Sequence, residues 1–459
     1  MKIKSVNLLY GMAAVLCLAA CDRTEPTSIQ ATSLAVTAAE PASGALALVG
    51  GTLIDGSLST PIGNSVILIR DGIIESVGTL NELAIPADYE QISTEGMTVM
   101  PGLWDLHVHL LYAGHTNNPY WHEVYTSRFE ADIMPATAMQ QLQSGVTSVR
   151  DLGAPAESVF NLREKIAGGT LSGPGIYAAG PQINRSFPDW ARFYRTPVAN
   201  PEAAAATANA LIDSGADILK ITNAEAMAVA DIRAITDVAH ARGIRVTAHG
   251  RTDREILMGL EGGVDEFQHI GVTAGSPEYP LEVMDAIRSR VAAGPALYWT
   301  PTVGLQLRSA YLAANPEMLD APANYAGLPE DVIADIKASL SDFAPVPADA
   351  DSIVRKVTQL RDAGVELLVG TDAGLAGNFH SQAMWQEMDS WVSILGFDAL
   401  ETIHRATSVA ARYMGRQDEA GMVAVGQIAD VIAVEGDPTR DMSVLSQPSI
   451  VIVGGSRIK

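Results

Sequence analysis

The sequence predicts an α/β protein, with a (β/α)8 TIM barrel and a small β-sandwich built from both termini. Strand-like runs alternate with longer helical patterns between residues 101 and 420, which is typical of repeated βα units and a parallel sheet. Short β-branched runs separated by turn dipeptides lie at both ends, in 45–100 and 421–459. A doubly wound open sheet is the alternative, but the sequence contains no glycine-rich dinucleotide loop.

Residues 1–20 have the features of a lipoprotein signal peptide. Lys2 and Lys4 precede a short apolar segment that ends in Leu18-Ala19-Ala20-Cys21, a sequence that resembles a bacterial lipobox. Lipid on Cys21 would anchor an exported, periplasm-facing domain to a membrane without spanning it, and Asp22 favours the inner membrane. A plain signal peptide with an incidental cysteine is the alternative.

Residues 21–44 are rich in Ala, Thr, Ser and Pro and are predicted to form a flexible tether. The only cysteines are Cys17 and Cys21, so the barrel has neither a disulfide nor a thiolate ligand. The formal net charge of −23 argues against nucleic acid as a partner. It also argues against contact with anionic lipid, which leaves the lipid on Cys21 as the expected membrane contact.

Eight candidate strands form the predicted barrel. They are 106–110, 146–151, 175–179, 217–222, 245–249, 266–270, 297–302 and 366–372. Eight such units fit one barrel with loop insertions, and catalytic groups of such barrels lie at the carboxyl ends of the strands.

Several of these strand ends carry groups that are able to bind a metal. In Pro101-Gly102-Leu103-Trp104-Asp105-Leu106-His107-Val108-His109, two imidazoles stand two residues apart and therefore project from the same face of a strand. Lys220, His249, His269 and Asp372 end strands four, five, six and eight. Packed histidines and a surface lysine are the alternatives for these positions.

The Pro-Gly-apolar-apolar-Asp-x-His-x-His pattern resembles the first-strand signature of the metal-dependent amidohydrolase superfamily. Its members hydrolyse amides and esters within a (β/α)8 barrel, and the remaining ligands of that family occur here in the same order. The spacing is similar to the binuclear subtype. The resemblance implies that Lys220 becomes N6-carboxylysine and bridges two divalent ions, with His107, His109 and Asp372 on one ion and His249 and His269 on the other. Zinc is expected, with manganese or cobalt as alternatives.

The same resemblance implies a mechanism. A hydroxide shared by the two ions attacks the scissile carbonyl, and Asp372 acts as the general base that passes the proton to the leaving group. The expected enzyme is an amidohydrolase acting on carbon–nitrogen bonds, and no serine or cysteine nucleophile is needed.

The substrate is less well defined by the sequence. The chain is most similar to Xaa-Pro dipeptidases, carboxypeptidase-like enzymes and imidazolonepropionase-like proteins, although imidazolonepropionases lack the lysine of strand four. Thr222-Asn223-Ala224-Glu225-Ala226-Met227 also departs from the glycine-rich segment that follows this lysine in dipeptidase-like members. We expect dipeptides or N-acyl amino acids. Cyclic amides, lactones or xenobiotic amides are the alternative substrates, and a non-catalytic metal- or solute-binding lipoprotein is an alternative of another class.

The loop 184–195 after strand three is the predicted specificity element. It combines arginines with aromatic residues, and arginine pairs bidentately with carboxylate. The predicted substrate-binding residues are Arg185, Arg192, Tyr194, Arg195, His122 and His380. A packed surface insertion is the alternative for the loop, and a homo-oligomer is a further expectation from the family.

Overall fold

The computed structural model describes residues 44–271, 277–341, 343–344 and 347–459. The predicted signal peptide and tether, including Cys21 and Asp22, lie outside the described residues except for Gly44. No helix within the described ranges has the length and hydropathy needed to cross a bilayer.

The described chain contains nineteen strands. In chain order they are β1 (Ala45–Val49), β2 (Thr52–Leu53), β3 (Ser65–Arg70), β4 (Ile73–Thr79), β5 (Tyr89–Ser93), β6 (Met97–Pro101), β7 (Leu103–Val108), β8 (Val146–Asp151), β9 (Gly175–Ala178), β10 (Gln182–Asn184), β11 (Arg195–Pro197), β12 (Ile218–Ile221), β13 (Arg245–His249), β14 (Glu266–Gln268), β15 (Tyr298–Thr300), β16 (Glu366–Leu367), β17 (Val431–Glu435), β18 (Ile450–Val453) and β19 (Ser456–Arg457).

Thirteen α-helices lie in the described ranges. They are α1 (Asn118–Tyr125), α2 (Met134–Gln143), α3 (Ala156–Ala167), α4 (Pro201–Asp213), α5 (Val229–Ala241), α6 (Asp253–Gly262), α7 (Leu281–Ala293), α8 (Val303–Ala314), α9 (Glu330–Leu340), α10 (Ala350–Asp362), α11 (Ala383–Ser393), α12 (Ala399–His404) and α13 (Ala410–Tyr413).

The middle of the chain is an α/β structure with two parallel sheets. One has the order β7-β8-β9 and the other the order β11-β10-β12-β13-β14-β15-β16. Each of the eight strands predicted for the barrel overlaps one of these strands, so their positions are confirmed. β7, β8 and β12 are buried along their whole length, as expected for parallel strands covered on both faces.

Backbone hydrogen bonds join the two parallel sheets at two places. Beside β7, Leu106 N–H donates to Val369 O at 3.3 Å and Asp372 N–H donates to His107 O at 2.7 Å. Beside β9, Asp217 N–H, directly before β12, donates to Ala178 O at 2.9 Å. The eight strands do not form one continuous ladder within the described residues, but the first and last of them are hydrogen-bonded neighbours.

The two ends of the chain share a second β structure. A four-stranded sheet has the order β4-β3-β1-β5, and a five-stranded sheet, β19-β18-β17-β6-β2, combines strands from both ends of the described chain. Side chains of both sheets pack into one buried apolar cluster that includes Leu48, Ile67, Val99, Val431 and Ile452. Strands from both termini therefore bury one common apolar core.

The Pro101-Gly102 step connects this β structure to the first strand of the parallel sheets. A β-carbon built on Gly102 would lie 2.1 Å from Thr147 Oγ1 on β8, which is far inside van der Waals contact. Glycine at this position lets β7 lie close to β8, and the strand that carries His107 is placed by that contact.

Candidate metal centre

Three buried side chains from three strand ends converge on one point. Donor atoms of His107, His269 and Asp372 all lie within 4.8 Å of one another. His107 Nε2 is 3.3 Å from Asp372 Oδ1, and His269 Nδ1 is 3.7 Å from Asp372 Oδ2. Parallel strands place all their carboxyl ends at the same end of the sheet. Residues that end different strands are therefore brought together there.

His109 and His249 extend the cluster on either side. His109 Nε2 is 3.3 Å from Asp372 Oδ1, and its Nδ1 is 3.2 Å from Gly153 O, which orients the ring. The His249 and His269 rings have centroids 5.0 Å apart. Burial lowers the pKa of His107, His249 and His269 well below the ordinary value, so these imidazoles are neutral, the form that binds metals.

Lys220 on β12 is completely buried. Its Nζ has no hydrogen-bond partner within the described part of the chain. Burial lowers the pKa of Lys220 well below its usual value, and this effect outweighs the opposing charges of Asp372 and Glu266. Burial therefore favours the neutral amine, which is nucleophilic, whereas an ammonium is not.

The chemistry of this donor set fits divalent metal. Side-chain atoms that are buried without a hydrogen-bond partner among the described residues include His107 Nε2, His249 Nδ1, His269 Nε2, Lys220 Nζ and Asp372 Oδ1. A buried polar atom without a hydrogen-bond partner costs about 1–3 kcal/mol of stability. A cluster of five such atoms therefore indicates that a bound group normally satisfies them. Imidazole nitrogen and carboxylate oxygen are ligands of zinc and related ions.

The backbone at this centre adopts a conformation that non-glycine residues rarely have. Asp372, His269 and Thr302 have φ angles of 57°, 69° and 50°. Such left-handed residues cost free energy and are concentrated at functional sites, where the surrounding structure maintains them. These three conformations turn the chain where three strands end. They direct the candidate ligands Asp372 and His269, and Thr302, which contacts His269, toward the centre.

Asp105 positions the ligands without joining them, a role that the sequence analysis missed. Its Oδ1 accepts hydrogen bonds from the backbone N–H groups of His107 at 3.1 Å and Thr371 at 3.0 Å, and its Oδ2 accepts one from Thr371 Oγ1 at 2.6 Å. Burial raises the pKa of Asp105 to about 6. The signal for this residue was its place in the Asp-x-His-x-His pattern.

Glu387 on α11 supports the centre from farther away and had no sequence signal. It accepts hydrogen bonds from the backbone N–H groups of Val303 at 3.0 Å and Gly304 at 2.5 Å, at the beginning of α8. The preceding residue, Thr302, has its Oγ1 3.0 Å from His269 Nδ1. Glu387 therefore helps to fix the turn that orients His269.

An aromatic cluster connects the predicted specificity loop to the metal ligands. The Tyr194 and His122 rings stack with centroids 4.7 Å apart, and His122 Nε2 is 2.8 Å from the Tyr112 hydroxyl. The Tyr112 ring lies 6.1 Å from that of His109. Burial lowers the pKa of His122 to about 4. Arg195 lies over Tyr194 at 5.1 Å and donates from Nε to Gln182 Oε1 at 3.1 Å.

The other predicted substrate-binding residues have partners within the protein. Arg185 lies 3.6 Å from Asp231 and donates to the Ala199 carbonyl. Arg192 is exposed and pairs with Asp189 at 2.8 Å. His380 is buried, with Nδ1 3.1 Å from Gln141 Nε2 and Nε2 3.0 Å from Tyr112 O, and burial lowers its pKa to about 4. Contact of these residues with substrate stays a prediction.

A cavity of about 340 Å³ lies beside the metal ligands. His269 and Asp372 line it together with Arg251, Ile270, Leu305, Gln306 and Leu375. This volume suits a small molecule. An apolar cavity of about 490 Å³ lies along α8, but none of the predicted ligands lines it, so we place the chemistry in the smaller one.

Parallel strands that end in clustered imidazole and carboxylate groups are the arrangement expected of a metal-dependent hydrolase with an α/β fold. The family model described as "Amidohydrolase family" matches residues 98–458 of this chain. The protein belongs to the amidohydrolase family.

Individual relatives agree with this assignment. The ochratoxinase of Aspergillus niger is 25% identical over an alignment of 479 positions that covers 94% of this chain and 90% of the relative. A solved structure from Bifidobacterium longum, provisionally assigned as a prolidase, is 27% identical with a TM-score of 0.68 and covers 91% of this chain and 95% of its own. A Xaa-Pro dipeptidase with methionine bound in its active site is 24% identical, also with a TM-score of 0.68, and covers 91% and 100%.

These findings confirm the amidohydrolase resemblance. The protein is a hydrolase acting on carbon–nitrogen bonds, and its family and structural neighbours imply a TIM barrel with an α/β fold. Members of the superfamily generally use divalent metal, and His107, His269 and Asp372 form a candidate site for it here.

Proposed function

We propose that this protein is a binuclear metal-dependent hydrolase that cleaves the amide bond of dipeptides or N-acyl amino acids. The observation that carries the proposal is the position of Lys220, a completely buried amine on the strand next to that of His249, with no hydrogen-bond partner among the described residues. A neutral buried lysine is the form that reacts with carbon dioxide, and the resulting carbamate is an anionic oxygen ligand. The product, N6-carboxylysine at Lys220, would serve as the bridging ligand.

The residues of the cluster divide into two metal sites in this proposal. His107, His109 and Asp372 would hold one ion, His249 and His269 the other, and zinc is the preferred metal. Bound divalent ions would lower the pKa of water and polarise the scissile carbonyl.

Asp372 performs the proton transfer in the proposed reaction. Its carboxylate takes the proton from the attacking water and gives it to the leaving nitrogen, so that the amine departs uncharged. Asn378 Nδ2 donates to the backbone carbonyls of Thr371 at 2.9 Å and Asp372 at 3.0 Å, and this holds the loop that presents the carboxylate. The water and the substrate carbonyl would meet in the cavity that Asp372 and His269 line.

The choice of substrate is supported by two structural relatives. Structures described as a prolidase and a Xaa-Pro dipeptidase, both enzymes named for dipeptides, cover nearly the whole chain. A second candidate is a hydrolase of xenobiotic amides on the same site, which the likeness to an ochratoxinase favours. Cyclic amides and lactones remain alternatives on the same scaffold.

Replacing Asp372 tests the proposed base. Asp372→Asn should lower kcat about 10²- to 10⁴-fold because the amide cannot take the proton. Steady-state hydrolysis of a panel of dipeptides, N-acyl amino acids and lactones by the full-length protein measures this, with metal content determined in parallel. Asp285→Asn, which removes an exposed carboxylate, is the matched control and should leave kcat unchanged.

Each part of the proposal has a result that contradicts it. Retained turnover in Asp372→Asn would exclude this residue as the base. One ion per chain would exclude the binuclear centre, and activity insensitive to chelators would exclude metal dependence. Turnover of lactones alone would keep the fold and change the substrate class.

We also propose that the protein is exported and held at the membrane by lipid on Cys21, with Asp22 favouring the inner membrane. The support is the sequence of residues 1–22 alone. Cys21→Ser should abolish incorporation of radiolabelled palmitate and release the protein from the membrane fraction. Labelling that persists in Cys21→Ser would contradict the lipid anchor. Association into a homo-oligomer stays a prediction.

A further inference from the structure

Arg308 on α8 is a partly buried cation that no described carboxylate neutralises. Its Nε donates to Ala376 O at 3.1 Å, and its Nη1 donates to Leu305 O. No ion pair of Arg308 occurs within 44–271, 277–341, 343–344 and 347–459. Burial lowers the pKa of Arg308.

The position of Arg308 places its charge at the edge of the candidate active site. α8 begins directly after Thr302, whose hydroxyl contacts His269. Leu305 and Leu375 line the cavity beside Asp372, and the guanidinium bonds to the carbonyl of Leu305 and to that of Ala376, the residue after Leu375. The charge of Asp372 raises the pKa of Arg308 against the effect of burial, as expected for neighbours at one site.

The chemistry of this position points to an anion. A guanidinium has five N–H donors, and the hydrogen bonds described above use one donor on Nε and one on Nη1. Taking a cation partly out of water is costly unless an anion compensates for it. Arg251 lines the same cavity, as does the carboxylate of Asp372. On a chain with a net charge of −23, a cation beside the cavity favours the approach of an anionic substrate.

The arginines of loop 184–195 have other partners. Arg185 lies beside Asp231, Arg192 pairs with Asp189, and Arg195 bonds to Gln182. Arg308 differs from Arg185 and Arg192 because its partners are uncharged carbonyls rather than carboxylates. Arg195 also has an uncharged partner and is therefore the competing candidate that the test below includes.

We propose that Arg308 binds the free carboxylate of the substrate and thereby selects amides that carry a carboxylate next to the scissile bond. This specificity role rests on the proposed function, because the cavity must be the site of amide cleavage. The planar guanidinium would hold the carboxylate through paired N–H donors, and the scissile carbonyl would then lie toward Asp372.

Two probes that differ only in the carboxylate test the role of Arg308. N-acetylphenylalanine has the carboxylate, and N-acetylphenethylamine lacks it. The wild-type protein should prefer the first in kcat/KM, and Arg308→Met should reduce that preference about 10- to 100-fold, mainly through KM. Arg308→Lys should restore part of the preference, because it keeps the charge without the planar fork. Arg288→Met, which removes an exposed arginine, is the matched control and should keep the wild-type ratio.

A binding measurement separates this inference from the proposed reaction. Calorimetry of the wild-type and Arg308→Met holoenzymes with phenylalanine and phenethylamine measures recognition of the carboxylate without turnover, and the melting temperature of each variant reports whether it is folded. Selective, Arg308-dependent binding without cleavage of either probe would support Arg308 and contradict the proposed cleavage of N-acyl amino acids. Equal cleavage of both probes would support the reaction and overturn Arg308. Loss of selectivity in Arg195→Met but not in Arg308→Met would also overturn it.

Discussion

Lys220 and Lys356 are both buried lysines, but their surroundings differ. Lys356 on α10 donates to the carbonyl of Gly271 and lies 5.3 Å from the ring of Tyr279. The amine of Lys220 has no such partner among the described residues and lies near His107, His249 and His269. The protein therefore satisfies the amine of Lys356, whereas the described residues supply no hydrogen-bond partner to that of Lys220. This contrast makes Lys356 a natural control for Lys220.

Lys220→Ala is expected to lose bound metal. The variant removes the amine that forms the proposed bridging carbamate, so the metal content per chain and kcat should both fall sharply. Lys356→Met should lower the melting temperature while leaving the metal content unchanged. Elemental analysis and thermal unfolding of both variants measure these effects. Full metal content in Lys220→Ala would contradict the bridging role.

At the scale of elements, the packing of α11 against the beginning of α8 controls the shape of the metal centre. Glu387 accepts hydrogen bonds from two backbone N–H groups at the start of α8 and from the indole of Trp391 at 2.8 Å. The first N–H groups of a helix have no partner within the helix, so a buried helix start needs such an acceptor. Burial nevertheless raises the pKa of Glu387 to about 7 because water is excluded from its carboxylate.

This raised pKa predicts a pH dependence of stability. The folded state binds the Glu387 proton more tightly than the unfolded state, whose pKa is near 4.5. The resulting stability is fully present below about pH 4.5 and is lost as pH rises through about 7, a change of roughly 3 kcal/mol. Glu387→Gln should remove this contribution, and urea unfolding across that range measures the difference. Parallel pH profiles of the wild type and Glu387→Gln would refute it.

At the scale of the whole molecule, one buried ion pair joins the two parallel sheets. Arg150 on β8 donates to both carboxylate oxygens of Glu266 on β14, at 2.8 and 2.7 Å. Tyr413 and Thr300 donate to the same carboxylate at 2.7 and 2.6 Å. These hydrogen bonds satisfy the charge, and the pair couples strands that are 116 positions apart in sequence. Replacing such a pair by well-packed apolar residues is often neutral for stability, whereas removing one partner alone is costly.

Breaking this pair should be costly. Glu266→Gln leaves the Arg150 charge buried without its counter-ion and should lower the free energy of unfolding by about 3–5 kcal/mol. Asp285→Asn breaks the exposed pair with Arg288 and should cost at most about 1 kcal/mol. Denaturant unfolding measures both. The double variant Arg150→Met/Glu266→Leu should regain much of the loss, and failure to do so would indicate that packing rather than charge is responsible.

The positions of the barrel strands and the identities of the candidate ligands could be read from the sequence. Hydrophobic runs are a local property of the chain, and strand-end residues keep their order in any fold that aligns the strands. The predicted ends of the strands agree less well with the structure than their positions do. The predicted strand 366–372 is Glu366–Leu367 in the structure, and 266–270 ends at Gln268. Asp372 and His269 leave the extended conformation through positive φ angles, which only the surrounding contacts impose.

The sequence by itself determined the class of fold, the family and the order of the candidate metal-binding residues. The tertiary structure decided which donor atoms converge, that Lys220 is completely buried, and that Asp105 and Glu387 support the same centre. Asp105 and Thr371, for example, are 266 positions apart and share hydrogen bonds. Such roles depend on burial and on contacts between distant segments, and both exist only once the chain is folded, because local sequence carries no record of what will exclude water from a side chain.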